Sequence, residues 1–168
     1  MARLLNNIDL DVVSETKQKA DAMGGHFEVE KHIEGEFHFE GSPMFTAKLS
    51  SERATFIVGA DEPGILGGRG IYATPLNYLM MGVLSCYAST VALQAGLKGV
   101  KIGKLNVKGH LYYDIGPMLS GIDSPLIKEL KIEVEADRDI REILEISRKR
   151  CPALSAIEKP IKTEVRQV

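Results

Sequence analysis

The chain has 168 residues, 44% of them hydrophobic and 26% charged, with a net charge of -2 and two cysteines. That length and balance suit one soluble globular domain able to bury a core without disulfide staples. The absence of a basic excess excludes a dedicated binder of nucleic acid or anionic membrane, which needs cations to displace counterions.

The N-terminus, MARLLNNIDLDVV, has too short an apolar run and too much acid for a secretory signal. A cytoplasmic location is expected, and a reducing cytosol disfavours a purely structural disulfide. Residues 9–23 read as a helix ended by Gly24-Gly25, since glycine takes up the left-handed backbone of a helix end without strain. The period then changes to two. In HFEVEKHIEGEFHFE, Phe27, Val29, Ile33, Phe37 and Phe39 share one face, with histidines and glutamates opposite. This predicts a half-buried strand with Gly35 at a turn or bulge. Two more strands are expected over 44–49 and 54–60.

A glycine-rich loop, DEPGILGGRGIYA, precedes a helix opened by Thr74-Pro75. Threonine caps free amides, and proline is tolerated where no amide hydrogen bond is due. No charged residue occurs from Gly70 to Leu97. The length would span a bilayer, yet Asn77, Ser85, Ser89, Thr90 and Gln94 and the amphipathic flanks argue for a buried helix instead. A helix apolar all round needs cover on every side. One small chain supplies only part of it, so a two-fold homodimer is expected, with no membrane partner.

Alternation resumes at Leu105, Val107, Leu111 and Tyr113, and again at Leu130, Ile132, Val134 and Ala136. A helix follows over about 139–151, then a last strand over 161–168. The class is α+β with antiparallel strands. The helical stripe Ile140, Ile143, Leu144, Ser147, Cys151 turns Cys151 inward, and Pro152 stops the helix. Arg148, Lys149 and Arg150 suit the negative end of a helix, which disfavours a thiolate at Cys151. Cys86 falls in the middle of the apolar helix. Free cysteines also serve as small core residues, and separation in sequence does not say whether two sulfurs meet.

Two segments carry a family resemblance. TPLNYLMMGVLSCYASTVALQAGLKGVKIGKLNV and EILEISRKRCPALSAIEKPIKTEV, in that order, resemble the two signatures of the OsmC/Ohr family. The resemblance is specific from about Asp61 onward and looser before it. It implies a single OsmC-like domain over 1–168, with a leading helical segment (1–25), N-terminal strands (26–60), a central cysteine helix (74–98), and C-terminal strands with the Cys-Pro helix (100–168). The implied fold is an intertwined homodimer, antiparallel sheets wrapped around long central helices. The implied activity is that of a thiol peroxidase. Cys86 attacks an organic hydroperoxide, Cys151 resolves the sulfenic acid to a disulfide, and a dithiol or lipoylated protein reduces it. No cofactor or metal is implied.

The chain departs from the pattern at the activating residues. Leu76 stands where the family places a glutamate after the helix-opening proline, and no arginine occurs between Arg3 and Arg53. A thiol without cationic help is mostly protonated at neutral pH. Arg69, Arg53 and Lys31, the last on the inward face of the expected first strand, are substitutes to consider. The alternative function is a non-catalytic dimer of this fold that binds an apolar small molecule or senses redox state. His26, His32 and His38 lack the spacing of a metal site and read as a solvated face. GILGGRG lacks the ending of a phosphate loop, and Ser85 and Ser89 lack a histidine or carboxylate at any fixed spacing that would suggest a hydrolase triad.

Overall fold

The computed structural model describes residues 3–167. The element order is β1 (Leu4–Leu5), β2 (Ile8–Asp9), α1 (Leu10–Ala22), β3 (Glu34–Phe37), β4 (Phe45–Ser50), β5 (Thr55–Ala60), α2 (Pro75–Leu97), β6 (Leu105–Tyr113), α3 (Gly116–Ser120), β7 (Ile127–Ala136), α4 (Arg141–Arg150) and α5 (Pro152–Glu158). The class is α+β, and every strand pair is antiparallel. The chain forms two compact units, one from Lys19–Met81 and one from the residues on either side of it.

In the unit Lys19–Met81, β3, β4 and β5 form a meander in that order. Gly35 is not at a turn. It pairs with Ala47 inside β3, where the Phe45 ring fills the space a Cβ would need, 2.1 Å from one ring atom. Glycine here admits the ring of its cross-strand neighbourhood. The expected strand is cut to four residues, and 26–33 carries no regular structure. Phe27, Val29, Ile33, Phe37 and Phe39 all remain exposed. Two-residue alternation marks faces, but a strand also needs a neighbouring backbone, and β4 stops pairing with β3 at Lys48.

Asp61 closes the loop that follows β5. Its carboxylate accepts from Ser42 Oγ (3.0 Å) and Ile71 N–H (3.3 Å), and its own N–H donates to Ala73 O (3.2 Å). Helix α2 then starts as its sequence predicts. Thr74 N–H donates to Asn77 Oδ1 (3.0 Å) while Asn77 N–H donates to Thr74 Oγ1 (3.3 Å), a reciprocal cap with Pro75 at the first helical position.

The other unit holds the remainder of α2, the β6–β7 ribbon, α4 and α5. Val83, Tyr87, Val91 and Ala95, four residues apart, are the buried stripe of α2. Leu105 and Val107 on β6, and Leu130, Ile132, Val134 and Ala136 on β7, pack against this core. Leu105 opposes Ala136, and Val107 opposes Val134. Lys104–Glu135 and Lys108–Glu133 pair on the wet face. Residues Thr90–Gly96 of α2 are buried or half-buried all round, whereas Leu79, Met81 and Ser85 in its earlier turns stay exposed. By length and composition alone α2 could cross a bilayer.

Other features also depart from the sequence reading, the short helix α3 among them. Residues 4–9 form a hairpin through Asn6 and Asn7, both with positive φ (53° and 63°). Pro152 stops α4 and also starts α5, which the sequence reading did not predict. The expected last strand is absent from 161–167; position 168 lies outside the described residues, as do Met1 and Ala2 of the leading segment.

The Asn6 side chain ties the hairpin to the end of α2. Its amide donates to Ala92 O (3.3 Å) and Val100 O (2.8 Å), and its oxygen accepts from Ile102 N–H (2.8 Å). Asn6→Ala leaves three backbone groups without these partners, so a loss of about 2–3 kcal/mol is expected. Urea unfolding checks this, and an unchanged midpoint would show that the clamp contributes nothing.

Candidate active site

The two cysteines are 65 residues apart in sequence, and their sulfurs are 3.6 Å apart. Both are free thiols; Cys86 is half-buried, and Cys151 is 1% exposed. Cys86 sits mid-way along α2, beside the buried Tyr87, and its carbonyl accepts from Thr90 Oγ1 at 2.8 Å. Cys151 is at once the last residue of α4's frame and the residue that precedes α5, with an extended backbone (φ -80°, ψ 116°). Proline disfavours the helical conformation in the residue before it, so Pro152 imposes this break. The inward stripe of α4 is as expected. Ile140, Ile143, Ser147 and Cys151 are buried, and Leu144 packs against the core.

Two side-chain bonds hold α2 to the α4 region around the thiols. Tyr87 OH donates to Leu144 O (3.1 Å), and an Arg150 Nη donates to Gln94 Oε1 (2.6 Å). Thus one cation of the Arg148-Lys149-Arg150 run is fixed to the cysteine helix, which the sequence did not disclose. Arg148 pairs with Glu158 at 3.1 Å.

Burial pushes the Cys86 thiol above its ordinary value of 9.0; the Ala153 N–H, donating to the sulfur, pulls the other way, and Cys151 beside it raises it again. Two sulfurs in contact share at most one negative charge comfortably, so ionising one opposes ionising the other. The Ala153 amide was missed by sequence reasoning because α5 was missed. The cue available was Pro152 itself, which is favoured at the first position of a helix.

Arg69, Arg53 and Lys31 all fall in the unit Lys19–Met81 and are exposed there. None of the three makes an ion pair among the described residues. Lys31 lies in the irregular segment 26–33, so the inward strand face expected for it does not form. Leu76 lies in the first turn of α2 and is half-buried. His32 contacts Glu34 (3.2 Å) and His38 contacts Thr46 Oγ1 (2.9 Å). Among the described residues no three metal-ligating side chains come together.

A cleft of about 600 Å³ opens between β7, α4 and α5, lined among others by Tyr87, Ile132, Leu144, Arg148, Leu154 and Ile157. It shares Tyr87 and Leu154 with the core that surrounds the thiol pair.

Residues 67–166 match the family model described as OsmC-like protein. No curated protein matches the chain. Among solved structures it is similar to an OsmC-like protein from Mycoplasma pneumoniae (19% identity, 79% of this chain and 89% of that one, TM-score 0.58). It is also similar to an organic hydroperoxide resistance protein OsmC from Legionella pneumophila (13%, 77% and 91%, 0.58). A third is an organic hydroperoxide resistance protein from Elizabethkingia anophelis (20%, 77% and 90%, 0.53). At these identities the likeness concerns the fold.

Because the Cys86 thiol is raised, its thiolate forms at higher pH than that of a free cysteine. Alkylation of Cys86 by iodoacetamide is expected to be slow at neutral pH, with a midpoint above 9.0. A pH–rate profile with mass detection checks this; a midpoint near or below neutrality would contradict it.

Proposed function

Since the chain belongs to the OsmC-like protein family, we propose that it is a thiol-dependent peroxidase for organic hydroperoxides, with Cys86 as nucleophile and Cys151 as resolving thiol. The observation that carries this reading is the 3.6 Å separation of the two sulfurs, with Cys86 the more exposed of them. Thiolate is the nucleophilic form, and a second thiol in contact traps a sulfenic acid before further oxidation.

The chemistry balances as follows. The Cys86 sulfur attacks one peroxide oxygen, the S–O bond forms as the O–O bond breaks, and the alkoxide leaves as an alcohol after taking a proton. Cys151 loses its proton, its sulfur attacks the Cys86 sulfur, and the sulfenic oxygen leaves as water. An external dithiol, free or as a lipoyl group, then reduces the disulfide and is itself oxidised. The Ala153 N–H supplies a donor to charge on Cys86. It is a weaker aid than a guanidinium, so the enzyme is slow at neutral pH.

A homodimer is part of this proposal. Its support is the apolar helix α2, whose earlier turns leave Leu79 and Met81 exposed. The reading places the protein in the cytoplasm, where dithiols keep both cysteines reduced.

A second reading is a non-catalytic protein of the same fold that holds an apolar molecule or senses redox state. It is favoured by Leu76 in place of the family's glutamate, by the raised Cys86 thiol, and by the cleft beside the thiol core, where Ile132, Leu144 and Ile157 face it alongside Glu145, Arg148 and Glu158.

Hydroperoxide consumption in the presence of dithiothreitol or dihydrolipoamide separates the two. Wild-type protein is expected to turn over, Cys86→Ser to lose all activity while keeping its sedimentation coefficient, and Cys151→Ser to accumulate a sulfenic acid that dimedone traps. Equal consumption by Cys86→Ser and wild type would reject the assignment of Cys86.

A further inference from the structure

The thiol pair can do chemistry that needs neither a free thiolate nor an oxidant. Cys86 and Cys151 are both free, and their sulfurs lie 3.6 Å apart. Cys86 stands on α2, and Cys151 stands between α4 and α5. Beside the pair, Tyr87 OH donates to Leu144 O and Arg150 donates to Gln94, so the two segments are tied together. Packing therefore sets the sulfur spacing before any ligand arrives. A ligand taken by one sulfur meets the second at once, and no further ordering of the chain opposes the second bond.

The spacing selects among the soft centres that thiol sulfur prefers. Bonds of about 2.3 Å, the length sulfur makes to zinc, put two sulfurs roughly 4.6 Å apart on a linear centre and about 3.3 Å apart where they meet near a right angle. The observed 3.6 Å fits the pyramidal centre of trivalent arsenic better than a linear two-coordinate ion. Zinc takes four ligands, and among the described residues no three metal-ligating side chains come together. The ligand count narrows the class further. Arsenite carries three exchangeable hydroxides, and the chain has two cysteines. A monosubstituted arsenical, R–As(OH)2, carries two, and carbon holds its third valence. The surroundings ask for a product without charge: Cys86 and Cys151 belong to one apolar core with Val83, Tyr87, Val91 and Leu154.

We propose that Cys86 and Cys151 form a chelating site for monosubstituted trivalent arsenicals, R–As(OH)2, with R a methyl or aryl group that projects from the open side of Cys86. Two As–O bonds break and two As–S bonds form. The two thiol protons leave on the two hydroxides as water, and arsenic stays trivalent throughout. The site gains no net charge, so burial does not oppose the product as it opposes a thiolate. Cys86, the more exposed of the two, takes the arsenic first, and the enclosed Cys151 closes the ring. This is a second activity of the pair, and it does not depend on the peroxidase reading.

The test uses reduced full-length protein and phenylarsine oxide, which hydrates to the phenyl member of this class. Intact mass is expected to show one phenylarsenic group per chain in place of two protons. X-ray absorption at the arsenic edge of the wild-type adduct is expected to show two sulfurs and one carbon around arsenic, a result that needs no variant. Cys86→Ser and Cys151→Ser are each expected to bind roughly a hundredfold more weakly, because the second bond is gone. Arsenite is expected to bind more weakly than the phenyl compound. Excess dithiothreitol is expected to strip the adduct, and glutathione at the same thiol concentration to leave it in place. One sulfur on arsenic, an arsenic shared between two chains, or removal by glutathione would each overturn the proposal. So would single-cysteine variants that bind as tightly as wild type, or arsenite held as tightly as the phenyl compound. An adduct on a protein that consumes no hydroperoxide leaves the proposal standing and removes the peroxidase reading; hydroperoxide turnover without an adduct does the reverse.

Discussion

Pro152 has no amide proton, and its ring crowds the residue before it, so Cys151 cannot continue the helical backbone of α4. The rest of the site follows from that constraint. The extended backbone at Cys151 separates two helices at one residue. The stripe of α4 delivers the Cys151 side chain to the core, and the turn places the Ala153 N–H at the Cys86 sulfur. A chain that ran straight through 151 would lose the second donor.

The same arrangement explains why the pair is close yet poorly activated. Burial that brings the sulfurs to 3.6 Å also strips water from Cys86, and that desolvation is the largest cause of its raised thiol. An amide dipole offsets this in part. The polar groups of this core divide accordingly. Gln94 and Tyr87 are paired and tie the helices, whereas Ser147 is unpaired where alanine would be more stable.

Much of this was legible from the sequence where one chemical signal was enough. Thr74-Pro75 fixed the start of α2, alternation located β6 and β7, and three- and four-residue spacing put Ile140, Ile143, Ser147 and Cys151 on one buried face. The two signature segments named the family before any geometry. What failed did so for a physical reason. Phe27, Val29 and Ile33 alternate, and a strand is expected over 161–168, but among the described residues neither segment pairs with a strand. Alternation describes side chains, and a strand is made by its ladder. Pro152 signals the stop of one helix and also begins another, and the Ala153 amide belongs to that second helix. Asn6 was overlooked because its role lies in three contacts to residues 86 to 96 positions away. The sulfur contact was beyond the sequence altogether: spacing put Cys151 inward and Cys86 mid-helix, and the packing of α4 on α2 made them meet.

The central claim is that the two sulfurs act as one redox pair within a chain. Reduced protein is exposed to a slight excess of cumene hydroperoxide and digested without reduction, and the peptides are weighed. The account predicts loss of both free thiols and one linked pair joining the Cys86 and Cys151 peptides. Two unreacted thiols after prolonged exposure, or Cys86 joined to Cys86 of another chain, would contradict it.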